Sequence, residues 1–271
     1  MLSQRVKAAL IFTPLVLILI YIGGWIFNSF FTIILLLAAF EYTRLFRKIG
    51  TNPSTPILCM GILLFILNQW LFKGEQLGIT MTVVIFLVAL VALIQFERQE
   101  PNTAENFAIT LSGILYLGWV GSAFIPFRAM DSGRGWVLTA LPSVWIADSG
   151  AYFIGRWLGK AKMTPHLSPG KTWAGLIGAV ITGTLSGFLL ILLWRSVGFL
   201  PATTPLWQGV VMGLILAILT PIGDLLISLL KRSAGVKDTG DLIPGHGGVL
   251  DRIDTWIWAA LLGYYLVQSF A

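Results

Sequence analysis

Two aspartates inside apolar stretches are the residues whose chemistry most needs an explanation. Asp148 lies late in an apolar run around 136–154, and Asp224 lies within another around 206–230. An ionised carboxylate is costly in hydrocarbon, so each is expected to face a polar cavity, a cation or a basic partner. Ion pairs between helices would satisfy both aspartates without a catalytic role. We favour a functional role, because membrane proteins rarely retain such residues without one.

The residues after Asp224 continue its polar character along one side of a predicted helix. Ser228 follows at i+4 and Lys231 at i+7, a spacing that places the three side chains in one stripe. A carboxylate, a hydroxyl and an ammonium group in one stripe can line a polar crevice that runs to the end of the span.

Segment 231–254 combines the residue types that bind phosphate and divalent metals. Its glycines can bring backbone N–H groups close to phosphate oxygens, its lysines and arginines can neutralise phosphate charge, and its carboxylates can hold Mg²⁺. The segment therefore predicts a nucleotide-phosphate and metal site. Its candidate residues are Lys231, Arg232, Lys237, Asp238, Gly245, His246, Gly247, Gly248, Asp251, Arg252 and Asp254.

Three of these residues have alternative interpretations. Asp251 and Asp254 are spaced i, i+3 at the start of a predicted helix, where they could share one metal or simply favour the helix N-terminus. His246, between two glycines, could be a base, a phosphate donor or a loop residue satisfied by backbone groups. The residues alone leave these alternatives open.

An earlier polar loop, 155–172, ends in the run Ser-Pro-Gly-Lys-Thr at 168–172. Its last three residues invite comparison with a Walker A motif, but that motif needs a glycine where this chain has Pro165, and no strand is expected before it. We therefore reject a P-loop and predict a turn at a helix N-terminus, which favours an anion. A positively charged anchor would explain the lysines of this loop but not its hydroxyl residues. The candidate residues are Ser168, Lys171 and Thr172.

The elements that must position these residues are membrane helices. Of the 271 residues, 56% are hydrophobic and 11% charged, against roughly 25% charged in soluble domains. We predict an all-α polytopic integral membrane protein with about nine transmembrane helices, or eight if the first two runs, parted by Gly23 and Gly24, form one bent element. The predicted spans lie near 8–22, 25–43, 56–72, 79–95, 107–127, 136–154, 173–194, 206–230 and 255–270.

The positive charges predict the orientation of these spans. With the N-terminus in the cytoplasm, most of the 18 Lys and Arg residues fall on the cytoplasmic side, which agrees with the positive-inside rule. The same orientation sends both polar loops, 155–172 and 231–254, to the cytoplasmic face, where soluble nucleotides are available. The exceptions are Lys73, Arg128, Arg134 and Arg195.

The candidate chemistry is concentrated in the second half of the chain. We therefore divide the chain into scaffold helices in 1–130 and a region in 131–271 that carries both polar loops and any localised function. The net charge of +6 is explained by topology, and no basic run with interleaved aromatics indicates nucleic-acid binding. Cys59 is the only cysteine, so neither an internal disulfide nor a cysteine metal cluster is expected.

The region from Ser228 to Asp254 resembles the signature of a known enzyme family. The sequences SLLKR (228–232), KD (237–238) and IPGHGGVLDRID (243–254) are similar to the signature of CDP-diacylglycerol synthases, also called phosphatidate cytidylyltransferases. A second block, around Asp148 and the loop that follows it, also looks like this family.

The resemblance implies a reaction. In this family a phosphate oxygen of phosphatidic acid attacks the α-phosphorus of CTP, pyrophosphate leaves, and CDP-diacylglycerol stays in the membrane for phospholipid biosynthesis. The family is magnesium-dependent, with one or two cations per site, and homodimers in the cell inner membrane are expected. Lipid access and dimer contacts would then fall in 1–130, and the catalytic region in 131–271.

The same resemblance implies roles for particular residues. The metal ligands would be Asp224 and Asp251, with Asp148 and Asp254 as further candidates. The triphosphate or lipid phosphate would be held by Lys231, Arg232, Lys237, Arg252 and Lys171, and substrate or ligands would be oriented by Ser228, Asp238 and His246. Family members commonly carry an acidic residue shortly after the Lys-Thr pair, whereas this chain has Ala174 and offers no metal ligand there.

Three other classes of protein fit this sequence less well. A transporter or channel would spread polar residues across the bilayer, whereas here they cluster near one face. A CTP-dependent lipid kinase would have a similar metal and nucleotide site, but the long signature favours the synthase. A purely structural scaffold is disfavoured, because the desolvation of many ionisable groups costs free energy and no function would require it.

Overall fold

Helices form most of the described chain. The computed structural model describes residues 2–240 and 247–270, with side chains from Phe12 onward. The predicted site residues Gly245 and His246 lie outside the described residues. The helices are α1 (Leu2–Ile22), α2 (Gly24–Arg47), α3 (Thr55–Phe72), α4 (Leu77–Glu97), α5 (Thr103–Gly113), a π-helix (Ile114–Val120), α6 (Phe124–Ala129), α7 (Gly133–Leu158), α8 (Trp173–Ser196), α9 (Leu206–Leu219), α10 (Pro221–Ser233), α11 (Leu250–Ile253) and α12 (Trp256–Phe270).

These helices confirm an all-α, multi-pass membrane protein. In the part of the chain that the structure describes, 7 helical stretches are long and apolar enough to cross a membrane. The first predicted span corresponds to a shorter apolar stretch, Phe12–Ile22, and the last coincides with α12. Every predicted span is thus helical, while the number that cross the membrane stays a prediction. The 7 stretches are Gly24–Arg47, Thr55–Phe72, Leu77–Glu97, Thr103–Ala129, Gly133–Leu158, Trp173–Ser196 and Leu206–Ser233.

A short two-stranded sheet lies between α7 and α8. The strands β1 (Lys162–Thr164) and β2 (Ser168–Thr172) pair antiparallel. The predicted turn over 168–172 is therefore wrong, because backbone pairing with β1 makes that run a strand and leaves 165–167 as the connection.

The expectation that no strand precedes the Gly-Lys-Thr run is also wrong, since β1 does. A P-loop joins a strand to a helix through a glycine-rich loop. Here Gly170 and Lys171 lie within β2 itself, whose ends Ser168 and Thr172 pair with Thr164 and Lys162 of β1. The hairpin therefore differs from a P-loop in its backbone as well as in its sequence.

The chain forms two compact units that interleave in sequence. Unit 1 is drawn from 1–12, 24–126 and 230–252, and unit 2 from 13–23, 127–229 and 253–271. The predicted division into a scaffold and a catalytic region at residues 130 and 131 concerns function and stays a prediction.

In unit 1, α2 buries one face at helical spacing. Leu35, Ala38, Tyr42 and Leu45 are all buried, and they follow one another at intervals of three or four residues. Glu41 lies on the same face and is 8% exposed. An apolar helix face thus carries a carboxylate into the interior of this unit.

In unit 2, glycines and alanines let α7, α8 and α9 pack closely. A Cβ atom on Gly187 of α8 would overlap the carbonyl oxygen of Gly209 in α9, and one on Gly213 would overlap that of Gly183. Such small residues spaced four apart allow membrane helices to approach at backbone distance. The buried cluster Ala147, Ala179 and Ala217 continues this packing across the three helices.

Candidate functional site

In unit 2, four predicted site residues form a cluster centred on Asp224: Asp148, Lys171, Asp224 and Ser228. Lys171 Nζ forms an ion pair with Asp224 Oδ2 at 2.8 Å and donates to the carbonyl oxygen of Pro221 at 3.3 Å. Ser228 Oγ donates to Asp224 Oδ1 at 3.4 Å. Asp148 is close enough to both Lys171 and Asp224 to interact with them electrostatically. Asp224 therefore has the basic partner that a carboxylate in an apolar run requires.

The local structure explains how this cluster is held. β2 brings Lys171 to the start of α8, where the buried Thr172 is the N-cap and its Oγ1 accepts a hydrogen bond from the N–H of Gly175 at 3.1 Å. Pro221 begins α10 because a residue without an N–H is tolerated in the first turn of a helix, and Asp224 follows within that turn. Capping gives the Thr172 hydroxyl a structural partner, and its contact with substrate stays a prediction.

The unit 2 cluster remains open to ligands. The side chains of Lys171 and Asp224 are 23% and 36% exposed. A phosphate could therefore reach the ammonium group, and a cation could reach the carboxylate, without disrupting the fold.

In unit 1, a second Lys–Asp pair is far less exposed. Lys231 Nζ lies 2.6 Å from Asp251 Oδ1, and the two side chains are 12% and 5% exposed. The other oxygen, Asp251 Oδ2, accepts hydrogen bonds from the N–H of Thr239 at 2.8 Å, from its hydroxyl at 3.0 Å and from the N–H of Gly248 at 3.0 Å. Asp251 therefore ties α11 to α10 and to the segment after Lys237.

These contacts set the charge of Asp251. Burial alone would raise the pKa of this carboxyl, but hydrogen bonds from Lys231 and from the backbone of Thr239 and Gly248, together with the charge of Lys231, hold the pKa below its usual value. The group is thus a carboxylate that accepts at both oxygens. Of the predicted glycine N–H groups, that of Gly248 is engaged by this carboxylate.

Glu41, which is not among the residues predicted from the sequence, belongs to the same cluster. Its Oε1 accepts a hydrogen bond from the N–H of Val249 at 2.9 Å, and its Oε2 accepts from the N–H of Leu250 and the hydroxyl of Thr239, both at 2.9 Å. The rule that singled out the two aspartates would have found it, because Glu41 is also a carboxylate within a predicted span.

The remaining predicted residues are distributed between the two units. In unit 1, Arg232, Lys237, Asp238 and Arg252 are exposed, and Arg232 Nη1 donates to the carbonyl of Val236 at 3.4 Å. In unit 2, Asp254 is 7% exposed and its Oδ1 accepts from the N–H of Thr255 at 2.7 Å. Ser168 is partly exposed in β2.

The donor set fits a Mg²⁺ ion that is shared with a substrate. Within residues 2–240 and 247–270, no group of three or more His, Cys, Asp or Glu side chains gathers as a metal centre. Mg²⁺ is usually held by one or two carboxylates together with water and substrate phosphates, so it does not need such a group. Asp148 and Asp224, which interact electrostatically in unit 2, supply ligands of this kind.

Comparison with known proteins decides the family. The model of the cytidylyltransferase family matches residues 3–270. The chain belongs to this family. It is therefore an enzyme, a nucleotidyltransferase, and the match covers both clusters and the loops between them.

Curated relatives match along the whole chain. A phosphatidate cytidylyltransferase of Brucella suis is 33% identical over 276 residues, which cover 100% of this chain and 94% of the relative. Those of a Synechocystis species and of Bacillus subtilis are each 29% identical and cover 98% and 99% of this chain, and 96% and 98% of their own lengths. The family expected from the signature at 228–254 is confirmed.

Proposed function

We propose that this chain is a phosphatidate cytidylyltransferase, which converts CTP and phosphatidic acid into CDP-diacylglycerol and pyrophosphate for phospholipid biosynthesis. The observation that carries the proposal is the near full-length similarity to enzymes of that name. The two Lys–Asp clusters support it, because they present the cations and carboxylates that a triphosphate and its metal require.

The reaction is a displacement at phosphorus. A phosphate oxygen of phosphatidic acid forms a bond to the α-phosphorus of CTP. The bond from that phosphorus to the oxygen that bridges the α- and β-phosphates breaks, and its electron pair leaves with pyrophosphate. Such transfers depend on positioning and charge neutralisation, so no nucleophilic side chain is needed.

In unit 2, Lys171 is proposed to bind a phosphate oxygen. Its ion pair with Asp224 holds the ammonium group in place, and its partial exposure leaves N–H donors for the substrate. Mg²⁺ held by Asp148 and Asp224 would neutralise the charge that develops on the leaving phosphates.

In unit 1, the exposed cations are proposed to hold the triphosphate or the lipid phosphate. Arg232, Lys237 and Arg252 lie beside or near the buried pair of Lys231 and Asp251 in sequence. Asp251 and Asp254 stay candidate metal ligands on the strength of the family signature, as a second cation would require further carboxylates.

We further propose that the site faces the cytoplasm, where CTP is available, and that the enzyme is a homodimer of the cell inner membrane. The distribution of Lys and Arg supports the orientation. Phosphatidic acid would then enter from the cytoplasmic leaflet.

The test uses two radiolabels. Purified protein in detergent is incubated with phosphatidic acid, Mg²⁺ and CTP labelled at the α-phosphate or, separately, at the γ-phosphate. We expect the α-label in the lipid and the γ-label in pyrophosphate. Asp251→Ala should abolish the labelled lipid, whereas Asp131→Asn, a change at an exposed aspartate, should not.

Other label patterns would overturn the proposal. A γ-label in the lipid would identify a lipid kinase. CTP that stays intact with phosphatidic acid and with polyprenol acceptors would instead favour a transporter.

A further inference from the structure

The carboxylate of Glu41 accepts hydrogen bonds from residues that are far from it in the sequence. The side chain is buried in α2, yet both of its oxygens accept donors from residues about two hundred positions later in the chain: Thr239, Val249 and Leu250. Two of these donors are backbone N–H groups at the start of α11, which have no acceptor inside that short helix. Glu41 therefore fixes the start of α11 from outside.

A continuous chain of contacts leads from Glu41 to the buried ion pair. The hydroxyl of Thr239 lies 2.9 Å from Glu41 Oε2 and 3.0 Å from Asp251 Oδ2, so its single proton is shared between the two carboxylates. Asp251 in turn holds Lys231 at 2.6 Å. All four residues belong to unit 1. A displacement of Glu41 would thus be transmitted through one hydroxyl to Asp251 and Lys231.

The backbone at two glycines, Gly240 and Gly248, passes close to the Glu41 carboxylate. A Cβ on Gly240 would lie 2.8 Å from Glu41 Oε1, and one on Gly248 would overlap both Glu41 Oε2 and the Thr239 hydroxyl. A larger residue at either position would therefore require the Glu41 carboxylate to move, and at Gly248 the Thr239 hydroxyl as well. Gly248 belongs to the run that resembles the family signature. Its close packing against the Glu41 carboxylate gives a structural reason for a glycine at this position.

We propose that Glu41 is a positioning residue for nucleotidyl transfer: it holds the backbone of Thr239 and of 248–250 so that Asp251 and Lys231 are presented in one geometry. This inference rests on the proposed function, because that function assigns the two residues to the reaction. It extends the site to α2, in the part of the chain for which the sequence predicted a scaffold.

Hydrogen exchange tests the holding role without reference to any reaction. Full-length Glu41→Gln keeps the size of the side chain but turns one oxygen into an N–H₂ group that faces an N–H or O–H donor. Because about one charged hydrogen bond is lost, peptides covering 247–253 should exchange about 10- to 100-fold faster. Peptides from α7 and α8 should be unchanged. Glu97→Gln, the same change at an exposed glutamate, is the control.

Steady-state kinetics test the consequence for the site. Misplacement of Asp251 and Lys231 should raise KM for CTP and lower kcat/KM by about 10- to 100-fold. A role in stability alone would reduce the active fraction, which lowers kcat and leaves KM unchanged. Thr239→Val should reproduce the effect, Thr239→Ser should retain activity, and the double variant with Glu41→Gln should be non-additive.

The outcomes separate this inference from the proposed function. Faster hydrogen exchange confined to 247–253, together with a raised KM for CTP, supports the positioning role of Glu41. Any of three results would overturn it. The first is an unchanged exchange rate at 247–253, and the second is faster exchange throughout the chain with an unchanged KM. The third is faster exchange at 247–253 with wild-type kinetics. If the wild-type chain makes no CDP-diacylglycerol, the proposed function fails, and exchange still decides whether Glu41 holds this segment.

Discussion

The two Lys–Asp pairs differ in how exposed their side chains are, and this difference predicts different contributions to stability. Lys231 and Asp251 are nearly buried, and Asp251 accepts three further hydrogen bonds from protein groups. Lys171 and Asp224 are partly exposed, and exposed ion pairs contribute little to stability. Removal of the Asp251 carboxylate should therefore affect both folding and catalysis. Removal of the Asp224 carboxylate should affect mainly catalysis.

Asp251→Asn should lower the free energy of unfolding by about 1–3 kcal/mol, because buried donors lose an acceptor. Asp224→Asn should leave that free energy nearly unchanged but lower kcat/KM by about 100-fold, as expected when a charged phosphate or metal contact is lost. Denaturant titration in mixed micelles and initial rates measure both quantities. Asp131→Asn serves as the control, and a large loss of stability in Asp224→Asn would contradict the assignment.

At the scale of elements, the close crossing of α8 and α9 determines where the unit 2 cluster can form. β2 and Lys171 precede α8, and α10 with Asp224 follows α9. Backbone contact between Gly187 and Gly209, and between Gly183 and Gly213, sets the separation of the two helices. A wider crossing would be expected to move Lys171 away from Asp224.

Gly187→Ala should therefore destabilise the protein by about 1–3 kcal/mol through overpacking and should also lower activity. Gly78→Ala in α4 is the matched control, because a Cβ there would meet nothing within 4 Å. That change should be neutral or slightly stabilising, since alanine favours helix more than glycine does. Thermal unfolding in detergent compares the two, and equal midpoints would show that the crossing tolerates a methyl group.

At the scale of the whole molecule, the charge pattern makes a prediction about sidedness. Lys48 and Lys162 are placed on the cytoplasmic side by the positive-inside rule, and Lys73 on the opposite side. All three residues are exposed. Their side of the membrane can be read by chemical labelling.

In a Cys59→Ser background, Lys48→Cys and Lys162→Cys should react with a membrane-impermeant maleimide only in inside-out vesicles. Lys73→Cys should react only in right-side-out vesicles. Labelling of Lys162→Cys from the outside would invert the predicted topology and remove the hairpin from the side where CTP is available.

The sequence by itself determined the fold class, the family and most of the chemical groups. Long apolar runs require helices in a membrane because every backbone N–H and C=O group must be paired there, so composition alone predicts α-helical spans. The family signature is a local run of residues, and the match over residues 3–270 agrees with it. Asp148 and Asp224 stood out because a charge in an apolar run is costly at any position in the fold.

The pairing of those groups was decided only by the tertiary structure. Spacing predicted that Asp224 and Lys231 would share a stripe, but each forms its ion pair elsewhere, with Lys171 and Asp251. Glu41 reaches residues about two hundred positions away, and no local pattern can specify such a contact. Helix periodicity fixes which side chains share a face, whereas the partner that each one meets depends on how glycine and alanine contacts bring distant helices together.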